Sequence, residues 1–331
     1  MENLNNNTNE PVKHHIIPQT YLRNFQDNDG NLFACKIQSD YKARIRKTSA
    51  AGECFEPNYY KISEPENPGE ELIVEKIINQ SFERDIPKYF SLLTSGSSEI
   101  SIADKCRIAE IIIHLKMRNP FVRELVFKPE VLTAIMDLTA TDFKTNPDEE
   151  VIAAAESIGL STDEYLDLVK IPALIRTNRD GGAAAHNEFI INQAQNNSIF
   201  KSSNLWRMVQ GEWRICSFPD GLKVLTSDNP GVSITGGQSF QISFEGKFEY
   251  IFPISPNVLL SISKPGEIDL ASLRTLKKVT ITAEELSKVN SAIAVNANEQ
   301  IYADNHDVID KTRDDVIQER YFTNWKKEKK N

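Results

Sequence analysis

The sequence predicts an α+β fold, in which a helical middle region packs with a C-terminal antiparallel β-meander and an N-terminal β-hairpin-like segment. Between residues 65 and 200, apolar residues recur at spacings of three and four, which indicates amphipathic helices. Between residues 205 and 263, short runs rich in β-branched and aromatic residues alternate with Gly- and Pro-containing turns, which is typical of antiparallel strands.

The length of 331 residues favours two parts that pack together closely. Residues 1–12 are Asn-rich and polar, so we expect a disordered tail there. We expect the N-terminal motif and the helical subdomain over residues 13–204. An antiparallel β subdomain with C-terminal helices should follow over residues 205–325, and the two subdomains should form one compact unit.

The N-terminal segment should be extended at first and then briefly helical. Pro18 disfavours the helical conformation of the residue before it, so residues 14–17 should be extended. Apolar residues at helical spacing predict one or two helical turns over residues 19–25. A turn at residues 27–31 should separate this segment from two short strands, at residues 31–38 and 42–47.

The middle region should be almost entirely helical. Residues 69–93 form an amphipathic pattern that Pro87 should kink or break. The pattern at residues 101–119 is the clearest helix of the chain, with a capping-box-like start at Ser101 and a stop at Pro120. Further helices are expected at 130–138, 149–157, 162–170 and 183–200.

The C-terminal third should begin with strands and end with helices. A helical hairpin is expected over residues 283–297 and 307–322. The expected strands are residues 213–218, 222–227, 232–235, 239–244, 247–254 and 258–263.

Charge and cysteine content restrict the class of protein. The formal net charge of −9 disfavours a surface that coats nucleic acid or an anionic membrane, although a local basic cleft stays open. The four cysteines are far apart without C-x-x-C spacing, which favours reduced thiols in a cytoplasmic protein. No apolar run reaches the roughly eighteen residues that span a bilayer, so we expect no membrane partner.

Residues 13–25 are the stretch richest in groups that can do chemistry. His14 and His15 are adjacent on an extended segment, so their side chains point to opposite sides and only one can face a given site. One imidazole beside a divalent metal ion is typical of a metal-assisted hydrolase. The alternative is that one histidine packs in the core and the other is exposed. The polar residues Gln19, Tyr21, Arg23 and Asn24 strengthen the functional interpretation.

A second polar group lies where a predicted strand ends. Asp228 and Asn229 could present a metal ligand or an acid/base group to a cleft, or Asp228 could only close an Asx turn. Arg118 at a predicted helix end could clamp a phosphate or a carboxylate. His114 is expected in the interior, and His186 and His306 as surface or capping groups.

These motifs carry a resemblance to a family. The residues that carry it are His14-His15-x-x-Pro18-Gln19-x-Tyr21-Leu22-x-Asn24-Phe25, Arg118-Asn119-Pro120, the strand 225–230 and Phe252-Pro253-Ile254-Ser255. With these motifs in order through most of its length, the chain resembles the large bacterial family of unknown function DUF4238, which implies a soluble protein without a settled biochemical activity.

The five residues 14–18 are also similar to the first half of the HNH-type, or His-Me finger, nucleases, in which the second histidine is the general base. That finger needs a metal ligand at the end of its helix, yet no histidine occurs between His15 and His114. The ligands of a metal would therefore come from far along the chain, with Asp228 as the best candidate.

Two hypotheses follow. In the first, the protein is a metal-dependent phosphodiesterase that acts on nucleic acid or a nucleotide. In the second, it is a non-enzymatic binding or regulatory protein whose polar motifs are structural. The hydrolase is the function we expect first, while the net acidity favours either the second hypothesis or a small substrate over polymer DNA. The first hypothesis assigns His15 as base, His14 or Asp228 as metal ligand, Arg23 or Arg118 as phosphate ligand, and Gln19, Tyr21, Asn24 and Asn229 as substrate contacts.

Overall fold

A computed structural model describes residues 13–37, 44–62, 70–127, 131, 145, 149–167, 182–195, 199–235, 238–240, 248–264 and 269–316. The predicted α+β fold is confirmed. The predicted disordered tail 1–12 lies outside the described residues, as do nearly all of helix 130–138 and the ends of several other predicted elements. Within the described ranges, no helix is long and apolar enough to cross a membrane.

The N-terminal motif forms the predicted extended and helical pieces. Strand β1 (Lys13–His15) pairs antiparallel with β4 (Phe55–Pro57), and His14 lies opposite Glu56. Helix α1 (Gln19–Leu22) continues into one turn of 3-10 helix, Arg23–Phe25. The apolar side chains of this segment are fully buried, which fixes it against the core.

A four-stranded sheet joins the two ends of the chain. Its strand order is β3-β2-β12-β6, and β12 pairs antiparallel with both β2 and β6. Strand β12 was not predicted, because four residues are too few for a clear alternating pattern. The strands are β2 (Leu32–Lys36), β3 (Arg46–Thr48), β6 (Thr226–Ser227) and β12 (Gln300–Ala303).

The first long helical pattern is broken, but not at Pro87. Helix α2 (Ile73–Ser81) and helix α3 (Ile86–Thr94) are separated by the 3-10 turn Glu83–Asp85. Pro87 lies in the first turn of α3, where the missing N–H has no intrahelical partner to lose. The predicted break at Pro87 is therefore wrong by a few residues.

Helix α4 (Ile102–Met117) is the helix that was predicted most clearly. The Ser101 hydroxyl accepts a hydrogen bond from the Asp104 N–H at 3.0 Å, which confirms the predicted N-cap. Pro120 ends the pattern as expected and also begins helix α5 (Pro120–Val126).

Helices of the middle region follow the prediction with one shift. Helix α6 (Glu149–Ser157) has the predicted bounds, and residues 162–167 are helical. Helix α7 (Ala183–Gln195) is followed by α8 (Ile199–Gln210). Residue 204, where the expected helical subdomain ends, lies inside α8, and the first strand after it begins at Glu212, one residue before its predicted start.

The large sheet has six strands in the order β11-β5-β10-β9-β7-β8. Its pairs are antiparallel except that β11 pairs parallel with β5, so the predicted meander is confirmed only in part. Strand β11 was missed because four of its five residues are exposed and mostly polar. The strands are β5 (Glu212–Ser217), β7 (Val232–Thr235), β8 (Gln238–Phe240), β9 (Glu249–Ser255), β10 (Val258–Ser263) and β11 (Leu276–Thr280).

The large sheet separates two apolar clusters. Phe252 and Leu260 pack with the N-terminal motif and the middle helices, whereas their neighbours Ile251 and Leu259 pack on the opposite side. This alternation follows from the two-residue period of a strand. The short helix α9 (Leu270–Arg274) precedes β11 in the chain. The second side of the sheet is covered by helix α10 (Ala283–Asn296) and the helical residues 306–316.

Two glycines test how tightly the chain packs after Asn229. Gly30 and Gly231 both have φ near +80°, but only Gly231 has neighbours, the Tyr250 hydroxyl and the Phe252 ring, where a Cβ would go. Gly30→Ala should cost about 1–2 kcal/mol for the left-handed backbone alone. Gly231→Ala should cost about 1–3 kcal/mol more, because the packed rings must move. Denaturant unfolding of both variants measures this difference, and equal losses would contradict the tight packing at Gly231.

Candidate functional site

His14 is a buried anchor of strand β1. Its Nδ1 accepts a hydrogen bond from the Tyr60 N–H at 2.6 Å, and its ring stacks on Tyr60 with centroids 5.7 Å apart. Its Nε2 lies 3.4 Å from the Glu75 carboxylate. Burial lowers the pKa of His14, which favours the neutral ring that this acceptor role requires. His14 therefore packs in the core, as the structural alternative expected for one of the two histidines.

His15 lies half-buried on the other side of β1. Its Nε2 is 3.1 Å from the Gln19 side-chain nitrogen, and the Gln19 oxygen accepts a hydrogen bond from exposed Arg23 at 3.2 Å. Burial lowers the pKa of His15, while a hydrogen bond to the Ala51 backbone opposes this shift. The ring nitrogen that a general base would use thus already faces an amide donor.

Tyr21 and Asn24 make contacts within the protein. The Tyr21 hydroxyl lies 2.7 Å from the Thr226 hydroxyl and donates to the Pro253 carbonyl at 3.0 Å, with no exposed surface. The Asn24 amide donates to the carbonyls of Thr20 and Tyr21 in its own helical turn. Tyr21 therefore fastens the N-terminal motif to β6 and β9.

Arg118 uses all three guanidinium nitrogens within the fold. Its Nε donates to the Tyr60 hydroxyl at 3.1 Å, one Nη donates to Glu83 at 2.6 Å, and the other donates to the His15 carbonyl. The side chain is almost fully buried. Arg118 thus ties the end of α4 to β1.

Asp228 lies in a turn directly after β6 and faces the residues that lead into β12. Its carboxylate accepts hydrogen bonds from three successive backbone N–H groups, those of Asn298 at 2.8 Å, Glu299 at 2.7 Å and Gln300 at 3.0 Å. Burial raises the pKa of Asp228 to about 6, and the three N–H donors oppose this rise. The side chain therefore does more than close a local Asx turn, because it binds another segment of the chain.

Asn229 is buried beside a lysine that the sequence analysis missed. Lys116 donates to the Asn229 side-chain oxygen at 2.5 Å and to the Gly231 carbonyl at 2.7 Å. The Asn229 amide in turn donates to the Asn296 carbonyl at 2.7 Å. Burial lowers the pKa of Lys116 to about 7. The available signal was its spacing, because Lys116 follows Ile112 by four residues on the apolar stripe of α4.

His186 was expected at the surface or at a cap, and that prediction is wrong. The ring is fully buried, its Nδ1 accepts from Arg123 at 3.0 Å, and its Nε2 lies 3.0 Å from the Met117 carbonyl. His306 is exposed beside Asp310, as predicted. His114 is in the interior, also as predicted, and stacks on Phe82 with ring centroids 4.0 Å apart.

In the part of the chain that the structure describes, the imidazoles of His14 and His15 do not bond to Asp228. The segments that carry these residues nevertheless border one cavity. The cavity has a volume of about 360 Å³ and lies between Ile16, directly after β1, strand β4, the start of α5 and the Asp228 turn. Its lining residues are Ile16, Cys54, Phe55, Glu56, Pro120, Glu124, Asp228, Asn298, Glu299, Gln300 and Tyr302.

The cavity lining is acidic. It contains four carboxylates and, among the described residues, no lysine, arginine or histidine. Burial raises the pKa of Glu56, the positive charge of Arg123 opposes this rise, and the negative charges of Glu124 and Glu299 add to it. Glu124 and Glu299 therefore lie close enough to Glu56 for their negative charges to act on it.

The cavity lining also includes the Cys54 thiol, whose burial disfavours the nucleophilic thiolate. The Cys54 sulfur lies 2.8 Å from the Tyr302 hydroxyl, and burial raises the pKa of Cys54 well above its usual range. Among the residues that the structure describes, no group of three or more His, Cys, Asp or Glu side chains could hold a metal ion.

Fold and site together define an α+β protein whose two polar motifs border one acidic cavity. The model of the family described as "Protein of unknown function (DUF4238)" matches residues 13–307, and the chain belongs to this family. No curated protein and no solved structure matches the chain.

Arg118 and Arg23 form a matched pair for stability measurements. Arg118→Ala should lower the free energy of unfolding by about 3–5 kcal/mol, because it leaves buried partners of the guanidinium unpaired. Arg23→Ala should change it by less than about 0.5 kcal/mol, because Arg23 is exposed. Urea denaturation at pH 7 compares the two variants. An Arg118→Ala protein of wild-type stability would contradict the conclusion that Arg118 ties the end of α4 to β1.

His186 should make stability depend on pH. Its pKa is about 3 in the fold, against 6.5 for an ordinary histidine, so the unfolded chain takes up the proton first as the pH falls. The contribution of His186 is therefore complete above pH 6.5 and is lost progressively between pH 6.5 and 3. His186→Gln should flatten the decline of unfolding free energy between pH 6.5 and 4. Equal slopes for wild type and His186→Gln would contradict the prediction.

Proposed function

We propose that the protein is a non-enzymatic binding protein that takes a small organic cation into the acidic cavity. This corresponds to the second hypothesis from the sequence, in which the two polar motifs are structural. The observation that carries it is the contrast between the motif side chains, which are engaged within the fold, and the adjoining cavity, which is concave and lined by carboxylates.

The first support is the engagement of the motif residues. His14, Tyr21 and Arg118 are buried and hydrogen-bonded to groups of the protein itself. Buried polar groups of this kind stabilise a fold as long as each has its partners. Moving any of them toward a substrate would break bonds that hold β1 and α1 in place.

The second support is the cavity. A volume of about 360 Å³ is in the range of small-molecule sites. Ile16, Phe55 and Pro120 give it apolar walls beside the carboxylates. An anionic concavity raises the local concentration of cations and repels phosphates. The lining therefore fits an amine or another organic cation that also has a hydrocarbon part.

The metal-dependent phosphodiesterase stays a prediction, as do its divalent metal ion and its nucleic acid or nucleotide substrate. A metal ion at Asp228 would have to displace N–H groups that now bind its carboxylate. A phosphate at Arg118 would have to displace Glu83 or the His15 carbonyl. Both steps exchange existing bonds for new ones, so the binding hypothesis requires less rearrangement.

A ligand panel tests the proposal. Spermidine, agmatine and choline should raise the melting temperature in a saturable way, because a ligand that binds only the folded state stabilises it, by about 2.7 kcal/mol at a hundredfold excess over Kd. ATP and oligonucleotides should not. Glu124→Gln should weaken cation binding up to about fivefold, since an exposed ion pair contributes up to about 1 kcal/mol.

Glu284→Gln is the matched control, because Glu284 is an exposed glutamate on α10 that pairs with Lys288 and does not line the cavity. Its variant should bind the cations as wild type does. Absence of a saturable shift with every cation would reject the proposal. Divalent-dependent cleavage of a phosphodiester that disappears in His15→Ala would instead establish the hydrolase.

A further inference from the structure

One wall of the cavity has the geometry of an anion-binding site. The N–H groups of residues 298–300 are successive along the chain and converge on one carboxylate group, that of Asp228, at 2.7–3.0 Å. Successive backbone N–H groups that converge in this way form concavities that bind anions, known as nests. All three residues and Asp228 line the same cavity.

Asp228 is held firmly against this wall by its own backbone. Its N–H donates to the Gln300 carbonyl at 3.0 Å, and its carbonyl accepts from the Asn119 side chain at 2.8 Å. The carboxylate is therefore presented to the three N–H groups by a rigid frame rather than by a freely rotating side chain.

We propose that Asp228 is the specificity-determining residue of the cavity, because it fills an anion nest formed by residues 298–300. With the carboxylate in place, the three donors are consumed and the wall is negative. Without it, the same wall would present three N–H donors and would attract anions. The consequence for ligand choice rests on the proposed function, in which this cavity is the binding site.

Chemical rescue tests the nest. Asp228→Ala removes the carboxylate and leaves space for a small anion, so formate should raise the melting temperature of this variant by a few degrees in a saturable way, relative to chloride at the same ionic strength. Wild type should show no such difference. Spermidine binding should weaken about tenfold in Asp228→Ala, because the wall loses a negative charge and gains donors.

Asp27→Ala is the matched control. The Asp27 carboxylate also accepts backbone N–H bonds, from Asp29 at 3.0 Å and Asn31 at 2.7 Å, but it lies in an exposed turn away from the cavity. Formate should not rescue this variant. Rescue of Asp27→Ala to the same extent, or none of Asp228→Ala, would overturn the proposal.

If Asp228→Ala does not fold in chloride or in formate, Asp228→Asn decides the matter. The amide keeps one acceptor oxygen and puts an NH₂ group against the remaining N–H donors. Hydrogen exchange should then be at least tenfold faster at residues 298–300, and wild-type protection there would overturn the proposal. Formate rescue and hydrogen exchange need no cationic ligand, so their failure is distinguishable from failure of the cation panel.

Discussion

The constraint on which the structure depends is the need to satisfy a polar junction buried between α4 and the turn after β6. Lys116 from α4 reaches the Asn229 side chain, and Asn119 binds the backbone of Asp228. The Asn229 amide donates to the carbonyl of Asn296, the last residue of α10. A buried ammonium is costly unless oxygens surround it, and the Asn229 side chain and the Gly231 carbonyl provide these oxygens to Lys116. These contacts hold in one place segments that are more than one hundred residues apart in the chain.

The N-terminal motif is attached to this junction from the other side. Arg118, two residues beyond Lys116, binds the backbone of His15, and Tyr21 binds Thr226 next to the turn. Both motifs are thus drawn to the end of α4, and the space left between them is the cavity. Lys116 and Arg118 are buried in the junction and do not line the cavity, and Arg123 acts on the cavity residue Glu56 without lining it either.

Local patterns predicted most of the helices and several of the strands. The bounds of α6 and the Ser101 cap of α4 follow from short-range spacing and hydrogen bonding, which a sequence shows directly. Strands β11 and β12 were missed, because one is polar and exposed and the other is short. Each of these strands is stabilised by pairing with neighbouring strands that are distant in sequence. His186 was placed at the surface for a similar reason, since its partner Arg123 is distant in sequence.

The sequence by itself determined the α+β class, the order of the helices and which two motifs carry the polar groups, because periodicity and residue type are local properties. The tertiary structure decided what those groups do. Whether Asp228 binds a metal, a substrate or its own chain depends on where residues 298–300 lie, some seventy positions later. The same holds for Arg118, whose partners Tyr60 and Glu83 come from two other segments. Hydrogen bonds between distant segments leave no spacing pattern in a sequence, so only the fold could separate structural groups from those that line the cavity.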